Sequence, residues 1–292
     1  MFRGTFTAIT TPFKNGQIDE QAFRKHIEMQ VAGGVEGIVP VGTTGESPTV
    51  DEDEHLEIIR IAVDAAAGRL KVVAGTGANS TSEAIHLTEA AEKLGVDGTL
   101  QVTPYYNKPP QEGLYQHFRA ISESTELPIM LYSVPGRSII AIEPETAARL
   151  AKDCDNIIAI KEAGGDPDRV DLLKAALPDD FQILSGDDPL TVEFMKRGAT
   201  GLVSVASNII PQQMSDLVRH MNAGEVDQAQ VIHDRFDPLF NILMGIETNP
   251  IPIKAATALM GICSEEIRLP LIPLEGEKLE TLRSCLADYQ LI

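Results

Sequence analysis

Cysteine, basic charge and long apolar runs are all scarce in this chain, and each scarcity removes a class of function. The three cysteines, Cys154, Cys263 and Cys285, are widely spaced and form no CxxC pair. That pattern excludes a disulfide framework and a cysteine-held zinc site, and it fits a reducing compartment. Only 24 lysines and arginines stand against 43 aspartates and glutamates, a formal net charge of -19. With no basic stripe to neutralise phosphates, nucleic acid is excluded as a partner. No apolar stretch approaches membrane-spanning length, and the amino terminus runs into a strand-like segment without a signal peptide. The expectation is a soluble, cytoplasmic protein.

What the chain does have is alternation. Short apolar runs at Thr5–Thr11, Gly37–Val41, Lys71–Gly75, Gly98–Thr103, Pro128–Ser133, Ile157–Lys161, Phe181–Ser185 and Gly201–Val205 read as strands. Amphipathic stretches separate them, near Asp19–Ala32, Asp51–Ala67, Ser80–Leu94, Gln111–Thr125, Glu143–Ala151, Pro167–Ala176, Pro189–Arg197 and Pro211–Ala223. Thr49 with Glu52 three residues on reads as a capping box, and Pro189 and Pro211 suit a first helical turn. Each unit takes roughly 28 residues, enough for a parallel strand, a crossover helix and two short loops. Eight such units predict an α/β fold of the (β/α)₈ TIM-barrel type over residues 1–224. An open doubly wound sheet is the competing fold. It wants a glycine fingerprint after the first strand, and Thr10-Thr11-Pro12-Phe13 is not one. Residues 225–292 read as a small helical region, with helices at Val226–Met244, Ile251–Met260 and Glu275–Asp288.

In such a barrel the chemistry sits at the carboxyl ends of the strands. The sixth strand ends on Lys161, behind Ile157-Ile158-Ala159-Ile160 and before Glu162-Ala163-Gly164-Gly165. A lysine held there is partly cut off from water, which disfavours its ammonium form and makes the amine a nucleophile for carbonyl carbon. The bland reading is a lysine that reaches the rim and pairs with Glu162. The fifth strand ends in Tyr132-Ser133-Val134-Pro135-Gly136-Arg137. Tyr132 stands one strand from Lys161, a phenol able to give and take protons, and Arg137 can grip a carboxylate bidentately. Taken singly, each is equally a core tyrosine or a surface arginine; together beside Lys161 they are less ordinary.

The second strand leads into Gly42-Thr43-Thr44-Gly45-Glu46-Ser47, where hydroxyls and backbone N–H groups between glycines suit a small carboxylate. A plain helix-entry loop fits the same residues. After the fourth strand, Tyr105 and Tyr106 lie in a proline-bounded loop, exposed or at a subunit interface. The seventh strand ends in Ser185-Gly186-Asp187-Asp188, either paired metal carboxylates or a loop with Asp188 capping the next helix. The metal reading is weak, because all six histidines fall on predicted helices and none at a strand end. The last two strand ends also lack a glycine cradle for phosphate. A metal-free site for unphosphorylated, carboxylated substrates is the expectation, with no cofactor.

The segments Gly42-Thr43-Thr44-Gly45-Glu46, Tyr132-Ser133-Val134-Pro135-Gly136-Arg137 and Ile160-Lys161-Glu162 resemble the signatures of the dihydrodipicolinate (4-hydroxy-tetrahydrodipicolinate) synthases. These sit among the pyruvate-dependent, class I aldolase-like barrels that include N-acetylneuraminate lyase. The resemblance covers essentially the whole chain. Thr103-Pro104-Tyr105-Tyr106-Asn107 and Arg137 discriminate within the group, while Ser133 departs from the asparagine of many synthases. The resemblance implies condensation of pyruvate with L-aspartate 4-semialdehyde on the route to diaminopimelate and lysine. A related aldolase for a sugar-derived 2-keto acid is the alternative. It further implies that Lys161 forms a Schiff base with pyruvate and that Tyr132, Thr43 and Tyr106 relay protons, with Tyr106 supplied across a subunit interface. Thr44, Gly186 and the backbone at Val203 would hold substrate, and Arg137 the carboxylate of the aldehyde. A homotetramer built from tight dimers is implied as well. So is a lysine effector site at Ser47, Pro48, Glu52, His55, Asn79, Glu83 and Tyr105, where Pro48 and Glu52 depart from the lysine-sensitive pattern.

Overall fold

The computed structural model describes residues 2–292. Its strands are β1 (Gly4–Ala8), a hairpin of β2 (Phe13–Lys14) and β3 (Gln17–Ile18), β4 (Gly37–Val39), β5 (Lys71–Gly75), β6 (Gly98–Val102), β7 (Ile129–Ser133), β8 (Ile157–Glu162), β9 (Gln182–Ser185) and β10 (Gly201–Ser204). All but the hairpin pair in parallel in the order β1-β10-β9-β8-β7-β6-β5-β4, and β4 closes on β1. The eight-stranded parallel barrel is therefore borne out, and the hairpin is an addition that the apolar pattern does not mark.

Helices α1 (Glu20–Gly33), α2 (Glu52–Ala66), α3 (Thr81–Lys93), α4 (Gln111–Ser122), α5 (Pro135–Ser138), α6 (Pro144–Asp153), α7 (Asp168–Ala176), α8 (Thr191–Lys196) and α9 (Pro211–Asn222) accompany the strands. Three more follow: α10 (Val226–Gly245), α11 (Ile251–Leu259) and α12 (Gly276–Asp288). The capping expectation needs correcting. Asp51, not Thr49, caps α2, and its box closes with Glu54. Pro48 draws Ser47–Thr49 into a tight 3₁₀ turn, so the chain reaches helical geometry only later, and the Thr49 hydroxyl donates to the Glu46 carbonyl. Likewise α8 begins at Thr191, so Pro189 lies before it.

Period-two alternation sorts the side chains into two layers. On β7, Met130 and Tyr132 face the barrel interior with Phe6, Leu184 and Val203, while Ile129 and Leu131 face the helices. On β8, Ala159 faces inward and Ile160 outward, so Lys161 returns to the inner face at the strand's carboxyl end. The outer layer continues into the last three helices, where Leu239, Phe240, Ile253 and Leu282 share one apolar cluster with β7 and β8. Those helices are thus packed onto the barrel and not merely tethered to it. No described helix is long and apolar enough to cross a membrane.

Candidate active site

Lys161 and Tyr132 are register partners on β8 and β7. Both are 6% exposed, and the Lys161 Nζ stands 4.3 Å from the centre of the Tyr132 ring. The amine thus rests on an aromatic face, within electrostatic reach of Asp187 and Asp188. Glu162, the partner of the bland reading, points the other way: it accepts from the Gly164 N–H and lies 3.6 Å from Arg169. Gly186 completes the wall. A Cβ there would meet the Lys161 Cε at 2.8 Å and the Ala163 Cβ at 2.6 Å, so only glycine lets the lysine stem pass.

A cavity of about 330 Å³ opens over this pair and is lined by Thr43, Thr44, Tyr132, Arg137, Lys161 and Gly186. Six of the expected site residues therefore converge. Two do not. Tyr106 is 87% exposed, its ring in solvent and its backbone at φ +74°. Val203, expected to act through its backbone, has its side chain wholly buried in the barrel interior, and Val205 lies on the cavity wall. Val205 follows β10 in a helical backbone conformation, at the entry to the 3₁₀ turn Ala206–Asn208.

Arg137 is carried by the one-turn helix α5, which the Val134-Pro135-Gly136 bend starts. Its Nη2 donates to the Asn249 carbonyl at 2.9 Å. The Asn249 side-chain Nδ2 donates to the Thr44 hydroxyl at 3.0 Å, so one residue between α10 and α11 steadies both the arginine and the threonine loop. Ser133, the departure from the family pattern, is fully buried and takes the Ile142 N–H on its hydroxyl. The substitution leaves its neighbours Tyr132 and Arg137 on the cavity wall.

The threonine loop is bent at both ends. Val41 and Glu46 adopt left-handed backbone angles, φ +47° and +62°, and a Cβ on Gly45 would come within 2.9 Å of the Val41 nitrogen. Such geometry is costly and must be held by its surroundings. Glu46 is the holder. Its side chain is buried, paired with Lys254 Nζ at 2.6 Å on one oxygen and accepting the Arg268 N–H at 2.9 Å on the other. Lys254 also donates to the Thr11 carbonyl, and the Thr11 hydroxyl donates to the Gly45 carbonyl at 2.7 Å. Burial pulls the Lys254 pKa down, and the Glu46 carboxylate opposes that pull. Sequence reasoning missed both Asn249 and Lys254; the break Thr248-Asn249-Pro250 between two helices is the only local sign.

The aspartate pair after β9 resolves into two roles. Asp188 caps no helix. Its Oδ1 accepts from Ser204 Oγ at 2.6 Å and its Oδ2 from the Val205 and Ala206 N–H groups at 2.9 Å each, so it staples β9 to β10. Asp187 lies on the cavity wall, and burial together with the Asp188 charge pushes its pKa up to about 6. No cluster of metal-ligating side chains occurs among the described residues.

Of the seven residues expected at the effector site, Ser47, Pro48 and Tyr105 line a second cavity of about 240 Å³ with Thr43, Tyr132 and Arg137, while Glu52, His55, Asn79 and Glu83 do not line it. Asn79 Nδ2 donates to the Tyr105 carbonyl at 3.2 Å. Glu52 is paired with His86 at 2.5 Å, and His55 is buried with its Nε2 against the Gly75 carbonyl, its pKa lowered by burial. Burial and then the nearby Glu83 charge raise the Tyr105 pKa.

Known proteins are similar to this chain over its length. The sequence model described as the dihydrodipicolinate synthetase family matches residues 1–289. A 4-hydroxy-tetrahydrodipicolinate synthase of Endomicrobium trichonymphae is 48% identical over 292 residues, all of both chains. The structure of the 4-hydroxy-tetrahydrodipicolinate synthase from Methylacidiphilum fumariolicum SolV superposes with a TM-score of 0.98 at 52% identity, covering 99% of this chain and 96% of that one. The enzyme of Cyanidioschyzon merolae, solved with lysine bound, superposes at 0.96 with 41% identity, covering 100% and 99%.

Proposed function

The chain belongs to the dihydrodipicolinate synthetase family, and we propose how its own residues carry that family's reaction. It is a Schiff-base-forming lyase that condenses pyruvate with L-aspartate 4-semialdehyde to 4-hydroxy-tetrahydrodipicolinate, a step towards diaminopimelate and lysine. The observation that carries the residue assignment is Lys161 Nζ beside the Tyr132 ring, in one cavity with Arg137.

Lys161 attacks the keto carbon of pyruvate, water leaves, and an iminium forms on Nζ. The iminium draws electrons from the methyl group, which loses a proton and becomes an enamine carbon. That carbon attacks the aldehyde, whose oxygen takes up a proton. Tyr132 stands where both transfers occur, and Thr43 on the same wall passes protons on. Tyr106 is the third relay member, reaching a neighbouring subunit's site; a strained backbone that pushes a tyrosine ring into solvent supports this. The reading therefore includes a homotetramer of tight dimers. Thr44 accepts from Asn249, which leaves its own O–H free to donate to the pyruvate carboxylate, together with the backbone near Val203 and Gly186. Arg137 pairs with the aldehyde's carboxylate.

Residues 1–224 carry the chemistry, and 225–292 hold the threonine loop and Arg137 in place. The enzyme works in the cytoplasm. L-lysine binds at Ser47, Pro48, Glu52, His55, Asn79, Glu83 and Tyr105, and the lysine-bound relative supports this. With Glu52 held by His86, Glu83 is the carboxylate left for the ligand's ammonium. Pyruvate tested with a panel of aldehydes checks the substrate reading. Aspartate semialdehyde is expected to be consumed far faster than any sugar-derived aldehyde, and the reverse order would overturn it.

A further inference from the structure

The last two helices enclose a cavity that the proposed reaction does not use. It holds about 320 Å³, close to the 330 Å³ over Lys161, and that volume is ample for a small metabolite. α11 and α12 form two of its sides, and the segment from Cys263 to Ile267 between them forms a third. α11 is buried from Ile251 to Thr257, whereas Ala258 and Leu259 are half-buried and line this space. With the buried Ile267 and Leu274 they give it an apolar floor. None of the seven residues proposed for L-lysine lines it.

Two charges of opposite sign share that lining, Glu265 and Arg283, both exposed and therefore at the mouth. Arg283 has only a loose partner, Glu280 Oε1 at 3.5 Å from its Nε, and Glu265 has no ion pair with a described residue. The third charge, Lys254, is already matched by Glu46. An apolar floor below one free carboxylate and one free guanidinium complements a zwitterion with an aliphatic side chain. A plain carboxylic acid would leave Glu265 unmatched, and an alkylamine would leave Arg283 so.

The cavity is also joined to the threonine loop. Lys254 lies on its lining, and the same ammonium pairs at 2.6 Å with Glu46, which holds that loop in its bent form. The wall segment is pinned as well. Ser264 Oγ donates to the Phe13 carbonyl, and Glu266 accepts the Gly16 N–H at 2.6 Å. One residue past the wall, the Arg268 N–H donates to Glu46 at 2.9 Å. An occupant that shifts α11 or this segment therefore shifts Glu46, and with it Thr43 and Thr44. We propose that the cavity between α11 and α12 is an effector site for an aliphatic α-amino acid. Its carboxylate lies on Arg283, its ammonium on Glu265 and its side chain on the apolar floor, and its occupancy acts on turnover through Lys254 and Glu46.

The test titrates three probes into the full-length enzyme by calorimetry: L-leucine, 4-methylpentanoate, which lacks the ammonium, and 3-methylbutylamine, which lacks the carboxylate. L-Leucine should bind, and each analogue should bind roughly fivefold or more weakly, the upper end for an exposed ion pair. Arg283→Gln and Glu265→Gln should each weaken L-leucine by a similar factor and leave turnover without it unchanged. Glu83→Ala, in the site proposed for L-lysine, should bind L-leucine as the parent does. Cys263 reports the location, because it lines the cavity while Cys154 and Cys285 are buried, so bound L-leucine should slow its alkylation by iodoacetamide. Saturating L-leucine should change the parent's kcat about twofold or more. No binding to the parent, equal or tighter binding of either analogue, full affinity in both charge variants, lost affinity in Glu83→Ala or an unprotected Cys263 would each overturn the site. Binding with an unchanged kcat would overturn its link to Glu46.

Discussion

The site is built from two kinds of part. Lys161 and Tyr132 sit on neighbouring barrel strands, in register, with their backbones tied into the sheet. Thr43, Thr44 and Arg137 sit on loops whose geometry is strained or one turn long, and they are steadied from residues far away in sequence. The strand-borne half needs nothing beyond the barrel to be correctly placed. The loop-borne half depends on Asn249, Lys254 and Arg268, contributed after the barrel's last helix. The amine and phenol proposed for catalysis are thus preorganised by the fold, while the groups proposed to grip carboxylates are preorganised by a clamp laid across it.

The largest expected effect comes from breaking that clamp. Lys254→Met leaves the Glu46 carboxylate buried and uncompensated, which should cost about 3–5 kcal/mol of stability in urea unfolding. Adding Glu46→Gln to it should recover much of that loss. The pyruvate imine on Lys161 should survive in the single variant, because its strand is untouched, while turnover falls as Thr43 and Thr44 loosen. A loss of stability under about 1 kcal/mol would mean that the loop holds itself and would erase the contrast.

A smaller effect sharpens it from the other side. Arg137→Ala should raise the Michaelis constant for the aldehyde roughly ten- to a hundredfold, as expected for about 1.5–3 kcal/mol of charge-assisted contact. Pyruvate's constant should move little. Equal rises for both substrates, measured by steady-state kinetics, would show that Arg137 supports the loop through Asn249 instead of reading the aldehyde.

The same division decides what is legible in the sequence. Apolar runs bounded by turn residues place every barrel strand to within a few residues, since burial on both faces leaves a strong and local mark. Lys161 and Tyr132 are legible as neighbours because consecutive strands of a barrel pair in order. The α2 cap lies two residues beyond its expected place, because Pro48 bends Ser47–Thr49 before the helix can begin. The separate fates of Asp187 and Asp188 are out of reach, being set by which of them meets the β10 backbone. So are Asn249 and Lys254, which meet Thr44 and Glu46 across 205 and 208 residues. No local pattern encodes a contact of that range. Tyr106 reads as exposed, and it is, yet in the proposed relay its ring is received by another copy of the chain.

Everything proposed for the chemistry depends on Lys161, and no other amine, taking the substrate. Lys254 is the informative competitor, being a second buried lysine within the same end of the barrel. Trapping the enzyme with pyruvate and borohydride, followed by peptide mapping, separates the two. A single adduct is expected on the peptide carrying Lys161, with Lys254 unmodified. An adduct on Lys254, or none on Lys161 in enzyme that still turns over, would contradict the assignment.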